Sequence, residues 1–264
     1  MKTLKHESIK TIISYARDVA TSYSTVLLSD VGERTILVYR GASDNLPRAR
    51  ALETRAVYVA PGAMPHQPLL RLLCRYKSAG SMIAMNPSGH YIKLGMKMMQ
   101  KFFELLDVVI MNREESASLT GIAYQEEKNI LSRLREILPG IIVVTDGAKG
   151  STVLSHDKMF RAGIFHNEQV IDRTGAGDAF GSGFIAGIMQ RTFDVRGRKT
   201  DGADGHTSDI RHLTSDDIQY AIRCASANAT SVVEVVGATP GILTKAQFDG
   251  GERWKNFEVQ INTL

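Results

Sequence analysis

Short apolar runs with little polar alternation recur along residues 56–147, and amphipathic segments separate them. The apolar runs are AVYVA (56–60), SMIAMN (81–86), DVVIMN (107–112) and GIIVVTDG (140–147). Continuous apolar runs of this length are typical of parallel strands that are buried on both faces. The segments between them have helical spacing, at Pro68–Tyr76, Lys93–Leu106 and Glu126–Leu138. This alternation predicts βαβ units and a wound, mostly parallel sheet.

The first 41 residues have a different pattern. Two β-branched runs, STVLLSD and RTILVYRG, flank VGE and predict a hairpin that turns at Gly32. Before them, apolar residues follow helical spacing and predict an amphipathic helix packed on the core, at Ile9, Ile12, Ile13, Ala16 and Val19.

The last third of the chain predicts one long helix and one irregular segment. LTSDDIQYAIRCASANATSVVEVVG opens with Ser and Asp capping residues and predicts a helix that runs until Gly237. Residues 191–213 are polar, rich in Gly and Asp, and without periodicity, which predicts a flexible surface loop. We interpret residues 1–264 as a single α/β domain.

Composition and charge narrow the function classes. The net charge of +4 is mild, and no dense block of Lys and Arg is interleaved with aromatic residues, so we expect no nucleic-acid partner. Cys74 and Cys224 are the only cysteines and form no CxxC pair, which fits a reduced, cytoplasmic setting. No apolar stretch has the length of a signal peptide core or a membrane span, so we expect no membrane partner.

Polar residues follow the predicted strands. They are Asn86, Asn112, Thr145 to Gly147, and Asp172 after EQVI. Ligands of an open parallel sheet bind along the edge where the strands end, so these positions predict one crevice.

The segment DRTGAGDAFGSGF (172–184) predicts a tight turn followed by a helix. Free amide groups at the start of that helix, with the positive end of the helix dipole behind them, suit a phosphate. Asp178 directly after the turn has two interpretations. It caps or charges the helix N-terminus, or it accepts a proton from a hydroxyl that attacks phosphorus.

Several segments resemble, in order, the ribokinase-like (PfkB) carbohydrate and nucleoside kinases. The glycine segment resembles their C-terminal motif, NREE (112–115) their N-x-x-E motif, and TDGAKGS (145–151) their nucleotide loop. YRGAS, NPS and ANATSVVEVVGATPG resemble further family segments, so the resemblance covers roughly residues 20–245. It implies a three-layer αβα ribokinase-like fold, with the hairpin as a remnant of the family's lid region.

The resemblance also implies an activity and roles for individual residues. The activity is ATP-dependent phosphoryl transfer to a sugar or nucleoside hydroxyl. Asp178 would be the base, and the backbone of Gly175, Ala176 and Gly177 the anion hole. Glu115 and Asn112 would organise Mg²⁺ through water. The residues expected to bind the nucleotide are Asn112, Thr145, Gly147, Lys149, Gly150 and Asn228. Asp172 and Thr174 resemble the edge of a monovalent-cation site, for which K⁺ is the expected ion.

Two departures from the family pattern keep alternatives open. Arg173 stands where the family usually has Thr or another small residue. The family's first strand and its acceptor-binding Gly-Gly and Asn segment are not found before Thr21, so we expect an N-terminally short domain with little acceptor-recognition surface. A non-catalytic nucleotide-binding or regulatory homologue is therefore the main alternative. A dinucleotide-dependent oxidoreductase is disfavoured because the glycine turn comes late and is followed directly by an acid. The exposed edge of the hairpin also predicts a homodimer.

Overall fold

The computed structural model describes residues 4, 7, 9–13, 15–28, 34–44, 52–166, 169–196 and 210–263. The strands are β1 Tyr23–Leu28, β2 Arg34–Tyr39, β3 Ala56–Val59, β4 Met82–Met85, β5 Val108–Asn112, β6 Ile141–Thr145, β7 Ser151–Ser155, β8 Lys158–Ala162 and β9 Val259–Thr263. The helices are α1 His66–Ser78, α2 Gly89–Ile92, α3 Met96–Phe103, α4 Arg113–Thr120, α5 Glu127–Ile137, α6 Ala176–Arg196, α7 Ser215–Val233 and α8 Lys245–Gly250.

Strands β3 to β9 form one seven-stranded sheet in sequence order. Strands β3 to β6 are parallel to one another, β7 is antiparallel to β6, β8 is antiparallel to β7, and β9 is antiparallel to β8. Strands β3 to β6 and β8 therefore end at the same edge, which is also where β7 begins.

Helices cover both faces of this sheet, which confirms the three-layer αβα prediction. Alternate strand residues such as Val109 and Val144 join the core with α1 to α5. Their neighbours, such as Ile110 and Val143, pack against α6 and α7. Burial on both faces is the physical reason for the continuous apolar runs in the sequence.

The N-terminal helix prediction is wrong. Residues 9–13 and 15–20 have no helical structure. The expected core contacts are absent as well, because Ile9, Ile12 and Ile13 are 51%, 68% and 44% exposed. A short helix is stabilised mainly by packing its apolar face, and here that face meets no core.

The segment before Asp172 also differs from the prediction. Residues 169–171 form no strand, although EQVI was expected to be one. Instead, the backbone N–H groups of Ile171 and Asp172 both donate to the carbonyl oxygen of Val233, at 2.8 and 3.2 Å. Asp172 is thus placed by the end of α7 rather than by a strand of the sheet.

The hairpin prediction is confirmed for its two strands, while the turn at Gly32 lies outside the described residues. In the predicted 191–213 loop, α6 continues as a helix to Arg196, and Ile210–His212 form a short 3₁₀ turn. Residues 197–209 lie outside the described part of the chain. Among the helices that are described, none combines the length and apolar character that a membrane crossing requires.

Candidate active site

Three predicted site residues lie side by side where the parallel strands end. Asn86, Asn112 and Thr145 directly follow Met85, Met111 and Val144, which pack into the core with α1 to α5. Thr145 lines a cavity together with residues of α6, whereas the Asn112 side chain bonds to the start of α4. Asn112 and Thr145 are also register partners of neighbouring strands β5 and β6.

The glycine turn places the first residues of α6 at the same edge. Gly175 has a φ of 82°, and a Cβ atom there would lie 2.6 Å from the carbonyl oxygen of Ala238, so this turn requires glycine. Helix α6 begins at Ala176. No atom approaches within 4 Å of a Cβ placed on Gly177, so space is open beside the first amide groups of the helix. The arrangement suits an anion at the helix N-terminus.

Asp178 lies in the first turn of α6 and is exposed. Among the described residues, no hydrogen bond or ion pair engages its carboxylate. The side chain is therefore available to a substrate hydroxyl, whereas a capping role would have tied it to the backbone. Its role as a base stays a prediction.

A cavity of about 320 Å³ lies between the nucleotide loop and the start of α6. Five predicted residues line it, namely Thr145, Gly147, Gly150, Ala176 and Gly177. Its other walls are largely apolar and include Ile164, Val170, Phe180, Ala229 and Val233. Apolar walls beside an amide-rich turn suit a ligand with a flat base at one end and phosphate at the other.

Helix α7 contributes to this cavity through a face that the sequence analysis missed. Ser226, Thr230 and Val233 line the cavity, and their spacing of four and three residues places them on one side of the helix. This helical spacing was the signal available in the sequence.

Asn228, which was expected to bind the nucleotide, points away from that face. Its Nδ2 donates to the carbonyl oxygen of Ala179 at 2.8 Å, and its Oδ1 accepts from the backbone N–H of Leu243 at 3.0 Å. Asn228 is buried and fastens α7 to α6, so it does not line the nucleotide cavity.

Lys149 is also placed outside the cavity. Its Nζ lies 3.6 Å from Oδ2 of Asp146 and 5.4 Å from the ring centroid of Tyr124. The same Asp146 oxygen accepts from Nη1 of Arg113 at 2.9 Å, and the Tyr124 hydroxyl donates to the other carboxylate oxygen. Lys149 was expected to bind the nucleotide, but it belongs to a charged network beside the loop and outside the cavity lining.

Asn112 and Glu115 form a capping box at the start of α4. Oδ1 of Asn112 accepts from the N–H of Glu115 at 2.7 Å, and Oε2 of Glu115 accepts from the N–H of Asn112 at 2.9 Å. Burial raises the pKa of Glu115, the hydrogen bond from Asn112 opposes the rise, and the charge of Glu114 adds to it. Asn112 and Glu115 therefore cap the start of α4, and Oε1 of Glu115 has no hydrogen bond among the described residues.

The donor set at this helix start fits Mg²⁺ held through water. It offers an exposed amide and one carboxylate oxygen without a protein partner, which are hard-oxygen donors. In the described part of the chain, no three His, Cys, Asp or Glu side chains cluster as a metal site. This ion commonly keeps several waters and takes further oxygens from substrate phosphates, so two protein groups suffice.

Asp172 is held by backbone amides. Oδ1 accepts from the N–H of Thr174 at 2.9 Å, and Oδ2 accepts from the N–H of Gly237 at 3.1 Å. These contacts join the glycine turn to the segment after α7. They leave the expected monovalent-cation site a prediction.

Tyr58 on β3 is a further polar group near Asp178 that the sequence analysis missed. Its hydroxyl is buried and has no hydrogen-bond partner among the described residues. Burial raises the pKa of Tyr58, the Asn86 side chain lowers it, and the charge of Asp178 raises it. Asn86 thus lies close enough to act on the Tyr58 hydroxyl, but outside good hydrogen-bond geometry.

A second cavity, of about 560 Å³, opens beside the same loop and shares Gly150, Gly163 and Ile164 with the first. Val144 lines it, so it lies on the side of the sheet away from α6. It is the larger of the two, but the glycine turn and the α6 N-terminus line only the smaller one. We therefore take the smaller cavity as the candidate nucleotide site.

Solved structures with this fold include two kinases. The nucleoside kinase of Methanocaldococcus jannaschii superposes with a TM-score of 0.71 at 20% identity, covering 96% of this chain and 74% of that one. The ribokinase of Arabidopsis thaliana, solved with ribose and ATP, superposes with a TM-score of 0.69 at 20% identity. The superposition covers 90% of this chain and 70% of that one.

Curated relatives are similar over part of their length. The cytidine kinase of Thermococcus kodakarensis is 30% identical over 144 residues, which are 53% of this chain and 49% of the relative. The ribokinase of Mus musculus is 26% identical over 191 residues, which are 68% of this chain and 58% of the relative. The chain thus spans about half the length of the curated relatives that it matches. The model of the pfkB family carbohydrate kinases matches residues 1–245, and the chain therefore belongs to this family.

Proposed function

We propose that the protein is an ATP-dependent kinase that transfers the γ-phosphoryl group to a hydroxyl of a sugar or nucleoside. The observation that carries this proposal is the exposed carboxylate of Asp178 in the first turn of α6, directly after the glycine turn. An acid at that position repels a resting phosphate, but it suits a hydroxyl that loses its proton while it attacks phosphorus.

In this proposal, the backbone amides of the turn and the side chain of Asp178 have separate roles. The N–H groups of Gly175, Ala176 and Gly177 face the charge that develops on the migrating phosphoryl group. Asp178 accepts the proton of the acceptor hydroxyl, which contributes about 10²- to 10⁴-fold to the rate. The remaining acceleration comes from positioning and charge stabilisation, as in phosphoryl transfer generally.

The nucleotide would occupy the 320 Å³ cavity, with its base between the apolar walls and its phosphates towards Gly177. Thr145 and Gly147 would line it from the loop after β6, and Ser226 and Thr230 from α7. Glu115 and Asn112 would hold Mg²⁺ through water. The ion supplies charge neutralisation between the phosphates.

The acceptor class is drawn from the relatives. Their names include cytidine kinase, nucleoside kinase and ribokinase, and a solved nucleoside kinase from Burkholderia thailandensis contains inosine. We therefore propose a sugar or nucleoside acceptor, and ribose, cytidine and inosine form the first test panel.

Two further expectations remain part of the proposal. A monovalent cation such as K⁺ would lie at the edge formed by Asp172 and Thr174. The protein would also form a homodimer through the β1–β2 hairpin, whose apolar side chains Tyr23, Leu37 and Tyr39 are exposed.

The decisive experiment is Asp178→Asn, which keeps the size of the side chain and removes its basicity. We expect phosphorylation of the preferred acceptor to fall by about 10²-fold or more, while ATP affinity changes little. A coupled assay of ADP release measures turnover, and calorimetric titration measures ATP affinity.

The matched control is Asp216→Asn, which removes another exposed acid from the first turn of a helix, α7. Its turnover should equal that of the wild type. Near-normal turnover of Asp178→Asn would overturn the role of Asp178. ATP binding by the wild type without turnover of any sugar or nucleoside would overturn the kinase proposal and favour a regulatory homologue.

A further inference from the structure

The candidate nucleotide cavity contains one charged side chain among its described lining residues, and that residue is Arg173. ATP carries several negative charges, which amide groups alone neutralise only in part. A cation that lines the cavity is therefore a candidate partner for the phosphates. Arg173 is also the position at which the chain departs from the usual family pattern.

Nearby cations are already held by carboxylates. Lys149 and Arg113 lie 3.6 and 2.9 Å from the same oxygen of Asp146. Arg161 lies 3.3 Å from Oε2 of Glu127. All three lie outside the lining of the nucleotide cavity, so none supplies a free positive charge there.

Arg173 differs from these residues in its surroundings. It is exposed, and no hydrogen bond or ion pair engages its guanidinium in the described part of the chain. Its neighbour Asp172 directs both carboxylate oxygens to backbone amides. The guanidinium is thus left available for a ligand.

The backbone of Arg173 is fixed relative to the anion-binding turn. Its carbonyl oxygen accepts from the N–H of Ala176 at 3.4 Å, and Ala176 is the first residue of α6. Arg173 therefore lies within the same turn, two residues before Gly175. Because Arg173 also lines the cavity, its guanidinium is close to the position proposed for the phosphates.

We propose that Arg173 binds the phosphate groups of the nucleotide. The planar guanidinium donates in a fork that matches two phosphate oxygens, which a lysine ammonium does not reproduce. The proposal deepens the proposed function, because it rests on the same cavity as the ATP site. Arg173 acts here on nucleotide affinity and needs no acceptor.

The test compares ATP with adenosine, which has the same base and sugar but no phosphate. Because adenosine also belongs to the proposed acceptor class, its affinity for the nucleotide cavity is measured as competition with ATP. Calorimetric titrations are carried out on the wild type, Arg173→Met and Arg173→Lys, with no other acceptor present. We expect Arg173→Met to weaken ATP binding by about 10- to 100-fold and to leave adenosine binding unchanged. Arg173→Lys should lose less ATP affinity than Arg173→Met, because lysine keeps the positive charge and lacks only the forked donor geometry of the guanidinium.

Arg133→Met is the matched control. Arg133 is an exposed arginine on α5 that pairs with Glu136 at 2.7 Å, far along the chain from the cavity. The Arg133→Met variant loses the same unit of charge as Arg173→Met, and its ATP affinity should equal that of the wild type. Thermal unfolding of each variant checks that its fold is retained.

Unchanged ATP affinity in Arg173→Met would overturn the inference. Equal loss of ATP and adenosine affinity would also overturn it, because it would show a structural role. If Arg133→Met weakened ATP binding equally, the loss would reflect the net charge of the protein alone. That result would also overturn the inference. A wild type that does not bind ATP overturns both this inference and the proposed function. ATP binding that depends on Arg173 but without turnover overturns only the proposed function.

Discussion

Tyr58 and Gly181 form a close contact between β3 and α6. A Cβ atom on Gly181 would lie 2.2 Å from the Tyr58 hydroxyl oxygen. Within the described part of the chain, that hydroxyl is buried without a hydrogen-bond partner. The missing side chain of Gly181 therefore makes the room that the Tyr58 hydroxyl occupies, one helical turn after Asp178.

We predict that Gly181→Ala lowers the free energy of unfolding by about 1–3 kcal/mol, because the added methyl group overpacks this contact. The change should be reversed in the double variant Gly181→Ala, Tyr58→Phe, which removes the clashing oxygen. The double variant also gains helix propensity, since alanine stabilises a helix interior by about 1 kcal/mol relative to glycine. Urea unfolding of the two single variants and the double variant measures the coupling.

Tyr58→Phe alone is the control for this cycle. Removal of a buried hydroxyl without a partner should be close to neutral. If Gly181→Ala lowers the free energy of unfolding equally with and without the Tyr58 hydroxyl, the contact with this hydroxyl is not the reason that residue 181 is glycine.

At the level of residues, positions chosen for their backbone lie at the candidate cavity, whereas two positions chosen for their side chains do not. Gly147, Gly150 and Gly177 line the candidate cavity, because a glycine-rich turn at a strand end leaves the backbone few arrangements. Lys149 and Asn228 lie outside the cavity because their side-chain directions depend on partner groups that the sequence motif does not reveal. Asp146 is close in sequence to Lys149, but Leu243, which fixes Asn228, is 15 residues away.

Helix α4 and the nucleotide loop are joined by one carboxylate, that of Asp146. It accepts hydrogen bonds from Arg113, the first residue of α4, and from the Tyr124 hydroxyl. Burial acts to raise the pKa of Asp146, but the hydrogen bonds from Tyr124 and Arg113, together with the charge of Lys149, hold it below its ordinary value of 3.8. This network fixes the start of α4, where Asn112 and Glu115 lie, relative to the loop after β6.

We predict that Asp146→Asn lowers the free energy of unfolding by about 1–3 kcal/mol at pH 7, because Arg113 loses its charged partner. A carboxyl with a lowered folded pKa stabilises the fold above its unfolded pKa, and this contribution is lost as the pH falls through the folded pKa. The difference between wild type and variant should therefore be constant above about pH 5 and shrink below about pH 4. Urea unfolding across this range measures it.

Asp157→Asn is the comparison, since Asp157 is exposed in the turn between β7 and β8. Its effect should stay within about 0.5 kcal/mol at every pH. A pH-independent cost for Asp146→Asn would show that its charge does not hold the network.

At the level of elements, burial decided which sequence patterns were reliable. Strands β3 to β6 were found within about one or two residues, because residues that are apolar on both faces have few alternatives to a central sheet. The apolar spacing of Ile9, Ile12 and Ile13 is equally regular, yet these residues are exposed and not helical. A periodic apolar pattern indicates a helix face that could be buried. Whether the helix forms depends on another surface of the protein that packs against this face.

The β1–β2 hairpin stands apart from the seven-stranded sheet and leaves apolar side chains in solvent. Tyr23 and Tyr39 are register partners with ring centroids 5.3 Å apart, and they are 62% and 42% exposed. Leu37 lies on the same face of the hairpin and is 55% exposed. A two-stranded sheet by itself is only marginally stable in water, so a second surface against this face would stabilise it.

We predict that a second copy of the chain supplies that surface. Light scattering after size-exclusion chromatography should then give about twice the 29.0 kDa of one chain. Leu37→Lys should shift the protein towards one chain, because a two-fold contact repeats each side chain and so brings in two ammonium groups. Ser24→Lys, exposed on the opposite face of the hairpin, adds the same charge and should leave the mass unchanged. A one-chain mass for the wild type at all concentrations, or an unchanged two-chain mass for Leu37→Lys, would contradict a dimer formed through this face.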